Sequence, residues 1–145
     1  MANSIRLEIV TPERLFYDND VELVIVRTLT GDEGFMANHS WACKLLGIGE
    51  IWIQEAGSKD FKIGAVSGGF IDVKTEITIF TDSAEWPNEI DVERSKSHME
   101  SARDWLKTHS RADTDEAEIL KAKVSLNKAL TRMHVAQGGG RRKSR

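Results

Sequence analysis

Asp82-Ser83-Ala84-Glu85-Trp86-Pro87-Asn88-Glu89-Ile90-Asp91-Val92-Glu93-Arg94 separates two kinds of sequence. Before it, apolar residues alternate with polar ones; after it, they recur at helical spacing. Pro87 stands in the changeover. Its ring fixes φ and it has no N–H to donate, so it suits neither a sheet interior nor a helix interior. Asp91 then offers a carboxylate to the free N–H groups of a starting helix. The stretch predicts a β + α chain: a β domain over 1–86, a helical arm over 87–136 and a disordered basic tail over 137–145.

Upstream, Ile5, Leu7 and Ile9 alternate with Arg6 and Glu8, the period of a half-buried strand. The β-branched run over 21–28 reads as a buried strand. Thr30-Gly31-Asp32-Glu33-Gly34 reads as a polar loop. Further strands are expected over 51–53, 61–66, 70–74 and 77–81, with turns at 56–60 and 75–76. Ser67-Gly68-Gly69 marks a strand break or a close backbone approach. Short strands at such intervals predict a sandwich or barrel.

Downstream, Val92, Met99, Ala102 and Leu106 form one thin apolar side of a charged helix. Asp113-Thr114-Asp115-Glu116 has capping-box spacing. Ile119, Ala122, Leu126, Leu130 and Met133 then make a helical stripe, widened by Ala117, Leu120 and Val124. Two helices with a short polar turn at 108–112 make a hairpin. Its small, alanine-rich faces should dock weakly.

Composition excludes several functions. The 145 residues carry a formal net charge of −3, against a general nucleic-acid binder. Cys43 is the sole cysteine, so no internal disulfide forms. No apolar run reaches the roughly 20 residues of a membrane span, and no apolar signal core opens the chain. The expectation is a cytosolic protein that meets a membrane only through a complex. His39, His98, His109 and His134 lack metal-ligand spacing. No Gly-x-x-x-x-Gly-Lys phosphate loop exists. Cys43 with His39, or a carboxylate pair, lacks the other groups a catalytic site needs, so the chain is not expected to be an enzyme.

Five stretches together resemble the epsilon subunit of bacterial F-type ATP synthases: Ile9-Val10-Thr11-Pro12-Glu13-Arg14; Gly31-Asp32-Glu33-Gly34 followed by His39; Ala65-Val66-Ser67-Gly68-Gly69-Phe70; Ala84-Glu85-Trp86-Pro87; and Ile90-Asp91-Val92-Glu93-Arg94. The resemblance implies a flattened β-sandwich of two five-stranded sheets and a C-terminal two-helix hairpin. It implies a non-catalytic central-stalk rotor subunit on the cytoplasmic face of the plasma membrane, coupling ion flow to ATP synthesis. Its partners would be the gamma subunit, the c ring and the alpha and beta subunits. Asp32, Glu33 and His39 would face gamma and the c ring. The arm, extended, would restrain ATP hydrolysis and dock on the beta subunits through Lys121, Lys123, Lys128 and Arg132.

No cofactor is required, but some family members bind ATP as a regulatory ligand in the folded hairpin. The matching positions are Glu85, Ile90, Asp91, Arg94, Lys128 and Arg132. Lys128 stands where those members carry arginine, and lysine cannot make a two-pronged phosphate contact. Ser101 replaces another expected arginine. Ala37 and Trp41 replace prolines often found beside the histidine, and Ser95 an alanine. The alternative reading is a stand-alone ATP-sensing binding module.

Overall fold

The computed structural model describes residues 3–109 and 115–139. Its strands are β1 (Ile5–Val10), β2 (Leu15–Thr28), β3 (Gly31–Phe35), β4 (Ala42–Leu45), β5 (Ile48–Glu55), β6 (Phe61–Ser67), β7 (Phe70–Val73), β8 (Ile77–Phe80) and β9 (Ala84–Glu85). A 3-10 turn, Pro87–Glu89, leads to α1 (Val92–His109) and α2 (Glu116–Ala136).

Strand β2 organises the sandwich. Its first half pairs with β1, from Ile5↔Val21 to Val10↔Leu15. Its second half pairs with β5 on one side and β3 on the other. With β2 counted in both, the hydrogen-bonded order resolves into β4-β7-β8-β1-β2 and β3-β2-β5-β6-β9, two sheets of five strands. The β1–β8 pair is parallel.

The change of sheet falls at an irregularity. Val21 pairs with Glu55 and Leu23 with Gln54, so Glu22 is the extra residue of a bulge. One extra residue inverts the alternation of side chains. Tyr17 and Val21 are buried before it; Val24, Val26 and Thr28 are buried after it. Tyr17, Val21, Val24 and Val26 meet Leu7, Ile9, Phe35, Ile51, Ile53, Ile71, Val73, Ile77 and Ile79 in one core. Each large aliphatic side chain removed from water contributes about 1.5–3 kcal/mol.

Residues 30–34 are not the loop their composition predicts. The reversal is confined to Leu29 and Thr30, since Thr28 already pairs with Gly31. The Thr28 hydroxyl donates to the Gly31 carbonyl at 2.8 Å and fastens the turn. Glycine disfavours strands by itself, but the open edge of β2 supplies the ladder. Strand β5 likewise starts at Ile48, before the expected 51. Gly49 is where Arg27 lies across the sheet, and a Cβ there would meet the Arg27 Cβ at 2.7 Å. Close approach does occur at Gly69 (φ 100°), where a Cβ would stand 2.8 Å from Thr81 Cα and run into the Phe80 carbonyl.

Trp86 packs against the core of the sandwich. Its ring stacks on Phe16 at 4.3 Å between centroids and meets Tyr17 edge-on at 6.0 Å. Burial raises the Tyr17 phenol above its ordinary pKa, with the Glu55 carboxylate adding to it. The following 3-10 turn is fastened too: Glu89 accepts from the Trp86 N–H at 3.0 Å and pairs with Arg14 at 2.8 Å.

Asp91 caps α1 as its position predicts, accepting from the Arg94 N–H at 3.1 Å. The expected side faces inward, with Ala102 buried and Met99 and Leu106 half-buried, but Val92 at its start is exposed and Ser95, one turn on, is buried. Ser95 tolerates burial because its hydroxyl donates to the Asp91 carbonyl at 2.9 Å. Asp115 caps α2, accepting from the Ala117 N–H at 3.0 Å. Asp113, the expected capping residue, lies outside the described residues, as does the tail from 140 onward. On α2 the buried residues are Ala129 and Val135, while Leu120 and Leu130 of the predicted stripe are exposed.

Candidate functional site

The arm meets the sandwich at the last turn of α2. Val135 has no exposed surface and sits among Ile63, Ala65, Ile90 and Ala136. Strand β6 supplies Ile63 and Ala65; Ile90 comes from the link between the 3-10 turn and α1. Arg132 Nε donates to Glu85 Oε1 on β9 at 2.6 Å. His134 Nε2 lies 3.1 Å from Glu50 Oε1 on β5, and the other Glu50 oxygen accepts from the Trp52 indole at 2.8 Å. An apolar knob is thus flanked by contacts to two carboxylates on different strands.

Of the six positions matching ATP-binding relatives, Glu85, Ile90 and Arg132 come together. Glu85 and Arg132, however, bond each other, and Ile90 is buried in the apolar socket. Asp91 caps α1. Arg94 is exposed in the first turn of α1, and Lys128 is half-buried one turn before Arg132. The Arg132 guanidinium is taken by Glu85, and Lys128 has no fork to offer two phosphate oxygens. A separate open groove of about 470 Å³ between α1 and α2 is lined by His98, Ser101, Trp105, Lys121 and Ser125, among others, and includes none of the six. Lys121 and Lys123 are exposed on α2.

The residues expected at the gamma and c-ring surface lie on or beside β3. Asp32 accepts from Arg27 Nε at 2.5 Å, and Glu33 pairs with Lys44 of β4. The Lys44 hydrogen bond, then the Thr28 hydroxyl, holds the Glu33 carboxyl below its ordinary pKa. His39 packs its ring edge-on against Phe35 at 4.9 Å, beside an exposed Trp41. At the β2–β3 turn, Leu29 is 70% exposed.

A larger surface escaped the sequence reading. Leu15, Val10, Phe80, Phe70 and Leu45 are register partners in succession across β2, β1, β8, β7 and β4. They point outward from the first sheet, opposite the buried Ile9, Ile79 and Ile71. Leu45 is 62% exposed and Leu15 55%, and the two phenylalanine rings stack at 5.0 Å. The available signal was an apolar residue at the outward end of each alternating strand, where a solvated face would carry polar ones. Among the described residues, no cluster of three His, Cys, Asp or Glu side chains could hold a metal ion, and no helix is long and apolar enough to cross a membrane.

Comparison with known proteins places these features. Residues 4–87 match the family model described as "ATP synthase, Delta/Epsilon chain, beta-sandwich domain". The chain is 48% identical over 103 residues to the ATP synthase epsilon chain of Alkaliphilus oremlandii, covering 70% of this chain and 75% of that one. It is 36% identical over 132 residues to the epsilon chain of Caldicellulosiruptor bescii, covering 90% and 92%. Among solved structures, a chain in the Euglena gracilis mitochondrial ATP synthase OSCP/F1/c-ring assembly superposes with a TM-score of 0.76. The overlap covers 93% of this chain and 82% of that one at 24% identity, a likeness of fold.

Proposed function

The chain belongs to the ATP synthase epsilon family, and from that premise we propose that it is a non-catalytic rotor subunit whose sandwich clasps the gamma subunit and rests on the c ring. Its hairpin is a movable arm that restrains ATP hydrolysis when extended toward the alpha and beta subunits. The membrane is reached only through that complex, at its cytoplasmic face.

The observation that carries this reading is the apolar row Leu15–Val10–Phe80–Phe70–Leu45 on the outer face of the first sheet. Contiguous exposed apolar surface of this kind marks an interaction site. Stacked aromatics at its centre are the side chains that anchor interfaces. The gamma subunit is the partner that fits a central stalk. Leu29, beside the Arg27–Asp32 pair, offers a small apolar tip with neighbouring charge compensated, suited to a polar loop of the c ring.

The experiment is reconstitution of the ATP synthase with three forms of this chain. Phe80→Asp should reduce co-purification with gamma by at least about tenfold, the scale of an interface anchor. A chain ended after Glu89 keeps Trp86 and the Arg14 pair. It should still bind gamma, while hydrolysis by the complex rises. Undiminished capture of Phe80→Asp would reject the docking face; unchanged hydrolysis with the shortened chain would reject the inhibitory arm.

A further inference from the structure

We propose that the last turn of α2 is a side-chain latch that holds the arm docked without a nucleotide. The inference rests on the reading of the hairpin as a movable arm, and departs from the ATP site that the resemblance implies.

Three contacts within residues 132–135 make the latch: Arg132 to Glu85, His134 to Glu50, and Val135 in the socket of Ile63, Ala65 and Ile90. Among the described residues, every side-chain hydrogen bond or ion pair from α2 to the sandwich starts in this turn. The rest of α2 packs on α1. Among the described residues, the side-chain bonds that fasten the arm to the sandwich are therefore gathered at one point.

The wall of the sandwich already supplies partners for the helix end. Around the socket the sandwich presents Glu85 and Glu50, with side chains only 26% and 16% exposed. Arg27 of β2 adds a neighbouring positive charge to Glu50 but is itself bonded to Asp32. Two half-desolvated carboxylates complement a cationic helix end. A polyanion that reached Arg132 would have to displace Glu85 from a charge-assisted bond. It would compete with docking rather than reinforce it.

The test uses the full chain, free of partners. Cys43 is exposed on β4, so nitroxides on Cys43 and on a Ser125→Cys substitution report the arm's position by electron–electron distance. The expected result is a docked distance without nucleotide, unchanged by millimolar magnesium-ATP. Val135→Asp places a third carboxylate in the socket and should lower the docked-to-open ratio at least tenfold. Arg132→Gln, which leaves the socket intact, should lower it by about threefold, the scale of a partly exposed charge pair. A thermal melt of each variant verifies that the sandwich is folded. An arm that is open without nucleotide and docks on adding ATP would overturn the latch. So would a Val135→Asp chain that keeps the wild-type docked distance. Neither outcome depends on whether the chain binds gamma.

Discussion

Gly68 and Gly69 adjoin, yet their structural constraints differ. Both have positive φ, at 73° and 100°. An added Cβ at Gly68 meets nothing nearer than an Asp82 oxygen at 3.8 Å, so Gly68→Ala carries only the left-handed backbone cost of about 1–2 kcal/mol. At Gly69 the Cβ runs into the Phe80 backbone, which cannot swing aside as a side chain would. Gly69→Ala should cost more than about 3 kcal/mol, since backbone strain and steric overlap add. Thermal melts of the two variants measure the contrast; equal losses would show that the β7–β8 backbone yields. The sequence marked this break and the Asp91 cap because both follow from local chemistry. It overlooked Ser95 on the stripe of Val92, Met99 and Ala102, because burial of a serine depends on its hydroxyl finding the Asp91 carbonyl. The family resemblance brought Glu85, Ile90 and Arg132 into view, but not that Glu85 and Arg132 would bond each other across 47 positions.

At the scale of elements, β2 is the piece on which both sheets depend. Removing the Glu22 side chain should matter little. Its carboxylate makes one 3.2 Å bond, from the Gly57 N–H, at an exposed turn. Deleting residue 22 is different: Val24, Val26 and Thr28 would face outward, or the register with β3 and β5 would slip. Glu22→Ala should melt within a few degrees of wild type, while the deletion should show no cooperative transition. A cooperative melt of the deletion would mean that the sheets can re-register. The alternation of the first strands was legible in sequence, as was the helical spacing of the arm. Strand β3 and the start of β5 were not, because glycines there serve a hydrogen-bonding edge and a crossing arginine. Both are relations between distant segments.

For the whole molecule, stability should fall as pH drops below about 4.3 and again as it rises past about 10. Three carboxyls are held below their ordinary pKa: Glu33 by Lys44, Glu55 by Lys62 and Glu89 by Arg14. A carboxyl depressed in the folded state contributes stability above its unfolded value, about 4.3, and loses it as pH falls through the folded value. Tyr17 sets the other limit. Its phenol is raised by burial, so the unfolded chain ionises first and folding weakens above about pH 10. The difference in melting temperature between wild type and Glu89→Gln should be present at pH 7 and shrink as pH falls below about 4.3; a difference that does not shrink in acid would assign the effect to packing.

The sharing of β2 also has a mechanical consequence. Seated on a turning shaft as proposed, the chain must transmit torque between the face that is gripped and the face that bears the load. Where two sheets touch only through side chains, a twisting load is resisted by dispersion contacts that slide one by one. Here a single backbone runs from one sheet into the other through Val21 and Leu23, so part of the load passes along covalent bonds. The body should turn as one stiff piece, leaving compliance to the arm.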